Sequence, residues 1–160
     1  MKILIAVLAL SFATPAAAQQ ASDQLTIAGP AHAPVTLKLA DLKAMPHTSA
    51  KFHNAHSNTD ETYSGVRVAD LLAKVNTPLG KDLHREALES YVIATGSDGY
   101  KVALSLAEAD PSFHNGEVVV ADSQDGKPLD AKAGPLKLVV TDDKDPARQV
   151  RNLVRIELKK

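Results

Sequence analysis

The sequence predicts an α+β fold, a single domain of mixed β-sheet with short helices, on three observations. Strand-like apolar runs and brief helical patterns alternate irregularly, without the even β-α rhythm of a doubly wound sheet. The clearest helical pattern covers only residues 67–75. Removing the first 18 of the 160 residues as a leader leaves 142, a length suited to one domain around one hydrophobic core.

The leader is read from Lys2, the apolar run Ile3–Phe12 and the small residues Ala16-Ala17-Ala18 after Pro15, the pattern of a secretory signal peptide cleaved after Ala18. Its apolar run is about half the roughly 20 residues that a spanning helix needs, so the mature chain, residues 19–160, is expected in the periplasm with no membrane insertion. With Lys2 gone, 17 basic residues face 19 acidic ones, which gives no general attraction for nucleic acid or anionic lipid. The chain contains no cysteine, so disulfides, thiolate metal ligands, cysteine nucleophiles and iron–sulfur clusters are excluded.

After a polar leader at 19–24, Leu25–Ala28 alternates as a strand and ends in the Gly29-Pro30 turn; Val35–Leu37 is a second strand. Leu39, Leu42 and Met45 hold helical spacing until Pro46 stops the helix. Residues 47–53 read as extended, Asn58–Glu61 as a surface loop, and Tyr63-Ser64-Gly65 as its close. Val68, Leu71, Leu72 and Val75 mark the amphipathic helix, with Asp70 and Lys74 placed to pair at i,i+4. A weaker helix follows at 81–88. Tyr91–Ala94 and Lys101–Leu104 form two strands around Gly96-Ser97-Asp98-Gly99. Ser105 and Glu108 make a capping box for one short helix ended by Asp110-Pro111. Val118–Ala121 is apolar on both faces, as a central strand is; Asp125-Gly126 turns the chain, Leu136–Val140 is another strand, and Leu153–Leu158 closes the fold.

Four stretches in order carry a resemblance: Tyr63–Leu72, Ser97-Asp98-Gly99-Tyr100, Gly126-Lys127-Pro128-Leu129 and Gly134–Val140. Together they resemble the oxidoreductase molybdopterin-binding domain shared by sulfite oxidases, over nearly the whole mature chain. The resemblance implies that domain's fold. It also implies that Arg148-Gln149-Val150-Arg151 corresponds to the family's motif ahead of the last strand, whose basic groups contact the cofactor phosphate. Arg148, Arg151 and Arg155 are three of only five arginines and fall within eight residues, and guanidinium forks suit phosphate or a carbonyl edge. The family's molybdenum is held by a cysteine thiolate near the helix that opens with Tyr63-Ser64-Gly65-Val66; the chain has none, and no His or Asn replaces a soft ligand without changing the metal preferred. Where the family commonly carries an aromatic residue in the arginine motif, Gln149 and Asn152 stand. In length, export signal and lack of cysteine the chain resembles small periplasmic pterin-binding proteins that work with membrane signalling enzymes, including cyclic-di-GMP enzymes.

Arg148 and Arg151, three apart, share one side of a helical turn or opposite faces of a strand, and the alternative to a ligand site is a basic rim balanced by Asp142, Asp143 and Asp145. Asp98 and Tyr100 place a carboxylate and an aromatic face beside a heterocycle, or simply form a hairpin turn. His47, His53 and His56 invite a metal reading, but no acidic third ligand sits at a clean spacing; His53 reads better as a polar pocket-lining residue, with His32, His84 and His114 facing solvent. Ser97 lacks the G-x-S-x-G elbow, and no phosphate loop or dinucleotide fingerprint occurs. The expected function is therefore non-catalytic binding of a pterin, non-covalently, at a site with Tyr63, His53, Asp98, Tyr100, Arg148 and Arg151, coupled to the periplasmic domain of a membrane signalling protein. The competing expectations are a molybdopterin-dependent oxidoreductase with a non-thiolate metal ligand, and a purely structural interaction module.

Overall fold

A computed structural model describes residues 22–160; the expected signal peptide and its cleavage point lie outside the described residues. Two five-stranded sheets share the molecule. In the first, β1 (Gln24–Gly29) pairs antiparallel with β2 (His32–Lys38) and parallel with β10 (Leu153–Lys159). Strand β10 also pairs antiparallel with β5 (Tyr91–Gly96), which forms a hairpin with β6 (Lys101–Ser105). The second sheet contains the hairpin β3 (Thr48–Asn54) and β4 (Thr59–Arg67), then β7 (Val118–Gln124), with β8 (Lys127–Pro128) and β9 (Lys137–Val140) along its other edge.

Residues 118–121 are all buried because β7 lies between β4 and β9, with covered surfaces on both faces. The main core joins one face of the first sheet (Leu25, Ile27, Val92, Leu104, Ile156) to one face of the second (Val66, Val118, Val120, Leu138, Val140). Helix α2 (Val68–Leu72) adds Val68, Leu71 and Leu72 to it. The expected helix over 67–75 tightens into a 3-10 turn at Ala73–Val75, so Lys74 leaves the i,i+4 position and no ion pair joins it to Asp70 among the described residues. Helix α1 (Leu39–Lys43) stops before Pro46 as expected, and the capping box of α3 (Leu106–Ala109) forms, Ser105 Oγ accepting from the Glu108 amide at 3.2 Å. The weak helix at 81–88 is instead two 3-10 turns, Gly80–Asp82 and Arg85–Glu89.

One expectation is corrected in the second sheet. The polar stretch 58–61 is not a loop: Thr59–Glu61 begins β4, and Tyr63-Ser64-Gly65 lies within that strand. Polarity misleads here because most of the hairpin tip faces water while remaining hydrogen-bonded as sheet. Gly65 is required where β4 crosses β7, since a Cβ there would overlap the Val120 carbonyl.

Candidate ligand-binding site

The site grows from the face of the second sheet that points away from the main core. Period-two alternation puts Ala50, Phe52 and Asn54 of β3 on this face with Glu61 and Tyr63 of β4, and Lys137 and Val139 of β9. Ala50, Phe52, Tyr63, Val119, Ala121 and Val139 pack into a second, smaller core. Beyond its apolar end the face becomes polar, and a cavity of ≈ 480 Å³ opens there, within the roughly 300–1,000 Å³ of small-molecule sites. The β5–β6 turn (Asp98, Tyr100), the 130–133 turn and residues 145–151 form its other walls.

A chain of hydrogen bonds runs along the floor. Lys137 Nζ donates to Tyr63 Oη at 2.6 Å, Tyr63 Oη donates to Glu61 Oε2 at 2.6 Å, and Asn54 Nδ2 donates to Glu61 Oε1 at 3.0 Å. The ammonium also lies 4.4 Å from the centre of the Tyr63 ring. Burial and the bond to Glu61 push the Tyr63 hydroxyl well above its ordinary pKa, so it stays a neutral donor. Burial lowers the pKa of Lys137, against an upward pull from Glu61, and Arg151 lowers it further.

The rim is acidic and doubly employed. Asp98 Oδ1 accepts from the Tyr100 amide at 2.9 Å, Asp130 Oδ1 from the amides of Lys132 and Ala133, and Asp145 Oδ1 from the Ala147 amide. For Asp98 and Asp130 the second oxygen has no partner among the described residues. Tyr100 Oη donates to the Ala147 carbonyl at 2.6 Å, which ties the β5–β6 turn to the 3-10 turn Pro146–Arg148 and holds the half-exposed ring at the cavity. Gly96 lets these walls meet, because a Cβ there would stand 2.8 Å from the Arg151 carbonyl.

Four expected site residues therefore share one cavity: Tyr63, Asp98, Tyr100 and Arg151. Two do not line it. The Arg148 guanidinium is held by Asp143 and by Glu108, at 2.9 Å for the latter, and the helical turn ends at Arg148, so Arg148 and Arg151 are not on one side of a common turn. His53 sits on the opposite face of β3 from Phe52, where its Nδ1 lies 2.7 Å from Asp60. The two histidines grouped with it in the metal reading also pair with separate aspartates, His47 with Asp122 and His56 with Asp145, and the described residues contain no cluster of three metal-ligating side chains. His114 is half-buried beside Asp142 rather than facing solvent.

Glu61, Asn54, Asp130 and Lys137 were not singled out by the sequence, and Gln149 stood out only as a departure from the family's aromatic position. Asn54 was within reach: extending the alternation of β3 by one residue places it beside Phe52. Lys137 was not, because its burial depends on pairing with Ala121, 16 residues away.

The sequence model of the oxidoreductase molybdopterin binding domain matches residues 11–160. The chain belongs to that family. Among solved structures, the sulfane dehydrogenase SoxCD from Paracoccus pantotrophus shares the fold at a TM-score of 0.66 and 16% identity, over 88% of this chain. The chain spans 39% of that protein. No curated protein sequence matches it. A molybdopterin-type cofactor is the ligand that membership in the molybdopterin binding domain family suggests, and a pterin ring is compatible with the cavity. The thiolate-held metal is not: the chain has no cysteine, and the cavity offers carboxylates, amides, phenols and cations. Four of its lining residues are carboxylates (Glu61, Asp98, Asp130, Asp145) and three are cations (Lys132, Lys137, Arg151), a balance better matched to an uncharged heterocycle than to a phosphate dianion.

Proposed function

We propose that this chain is a periplasmic, non-catalytic pterin-binding protein whose liganded state is read by the periplasmic domain of a membrane signalling protein such as a cyclic-di-GMP enzyme. The cavity's bipolar lining carries the reading. Free carboxylate oxygens of Asp98 and Asp130 accept from ring amino and N–H groups, Arg151 and Lys137 donate to a ring acceptor, and Tyr100 offers an aromatic face. Arg151 makes no hydrogen bond or ion pair among the described residues, so its guanidinium is free for a ligand. Family membership supports an affinity for a pterin framework, and the missing thiol speaks against a thiolate-held metal on it.

Calorimetric titration with reduced pterins tests this. The parent binds, Arg151→Ala weakens binding by about tenfold or more, a loss of about 1.4 kcal/mol, and folded Arg148→Ala retains most of the affinity. No heat with any reduced pterin would defeat the proposal. The sensory half predicts that the pterin changes binding to the partner's periplasmic domain in the same titration format. The competing reading, an oxidoreductase with a non-thiolate metal ligand, rests on the family alone; stoichiometric molybdenum in protein purified from its native compartment would favour it.

A further inference from the structure

We infer that Lys137 and Gln149 form a donor pair at the inner end of the cavity that selects ligands presenting a ring oxo acceptor. The inference rests on the pterin reading and names the group that this part of the site recognises.

Both side chains are more than nine-tenths buried, at 8% residual exposure each. Both line the cavity. A lysine ammonium carries three donors, and among the described residues that of Lys137 makes one hydrogen bond, to the neutral Tyr63 hydroxyl. The Gln149 Nε2 is buried with no hydrogen-bond partner among the described residues. Buried polar groups in folded proteins are nearly always satisfied, and an unsatisfied one calls for an unseen partner such as a ligand or a water. The unpartnered Gln149 amide, the two N–H groups that Lys137 has left after its bond to Tyr63, and Arg151 beside them are all donors. An acceptor is what they lack.

The acidic rim sharpens the point. Carboxylates at Asp98 and Asp130 repel an anionic substituent at the mouth, so the acceptor that reaches Lys137 and Gln149 is carried on an uncharged ring. A 2-amino-4-oxo heterocycle meets both ends: amino donors for the carboxylates, an oxo oxygen for the ammonium and amide. The side chain at 149 also supplies discrimination, because a carbonyl replaced by an amino group would set donor against donor.

The experiment compares 6-methyltetrahydropterin with its 4-amino-4-deoxo analogue by calorimetry, in the parent and in Gln149→Leu, Gln149→Glu and Lys137→Met. The inference requires the parent to prefer the oxo ligand by about tenfold or more. Gln149→Leu and Lys137→Met should each reduce that preference, and Gln149→Glu, which turns the donor into an acceptor, should shift it toward the amino analogue. Circular dichroism establishes that each variant is folded; Gln149→Leu, uncharged and close in size, decides if Gln149→Glu is not. A parent without preference, or variants that keep the parental ratio while binding, overturns the donor pair and leaves the pterin reading standing. Failure of the parent to bind either compound overturns both.

Discussion

Arg148 and Arg151 have the same chemistry and different surroundings. Arg148 bridges Glu108 at the start of α3 and Asp143 in the loop before the last 3-10 turn, so its loss costs stability, about 1–2 kcal/mol for a partly exposed forked ion pair. Glu108 shows the same coupling: burial opposes its charge, yet the bonds from Arg148 and Ser105 hold its carboxyl below the usual range. Asp98 shows that turn-former and ligand acceptor are not exclusive roles, since one oxygen closes the turn and the other remains open. Lys137 is the residue where binding and stability oppose each other. A buried ammonium with one hydrogen bond contributes little to folding, so Lys137→Met should leave the urea midpoint unchanged or raise stability by about 1 kcal/mol. A clear loss of stability would instead make the ammonium a structural anchor.

At the scale of elements, few are longer than seven residues, and each is held by partners far along the chain. His47, just before β3, joins the end of α1 to β7: its Nδ1 lies 2.8 Å from the Met45 carbonyl and its Nε2 3.0 Å from Asp122. The Asp122 hydrogen bond raises the His47 pKa above its ordinary 6.5 in the folded protein. A raised folded pKa means that the stabilisation is complete below about pH 6.5 and is lost as the pH climbs through the folded value. Urea midpoints between pH 6 and 8.5 should therefore fall in the parent, and His47→Gln should reduce that slope. The strands, the capping box and the buried character of 118–121 were legible in local patterns, because alternation and cap chemistry act over a few residues. The hairpin tip at 54–61 was not, since polar side chains facing water or a polar cavity look alike in sequence. The same reason hid Glu61 and Lys137, whose meaning comes from the register of β4 and β9 against β7.

The whole molecule is organised around a pairing of sequence extremes. Strand β10 lies between β1, parallel to it, and β5, antiparallel, and contributes Leu153, Ile156 and Leu158 to the core. Without it the first sheet is two separate hairpins, β1–β2 and β5–β6, and isolated hairpins are marginal in water. A chain ending at Asn152 should show no cooperative thermal transition by circular dichroism; retention of one would mean that the second sheet folds alone. Pairing β1 with β10 also closes a loop of more than a hundred residues, the kind of contact that slows folding. For a chain exported as proposed, that pairing acts as a clock. Strand β1 can pair at once with β2, but its other edge has no partner until the seven residues of β10 follow. The two hairpins of the first sheet stay unjoined until then, and the cavity, whose back wall hangs on the turn just before β10, is completed with that pairing.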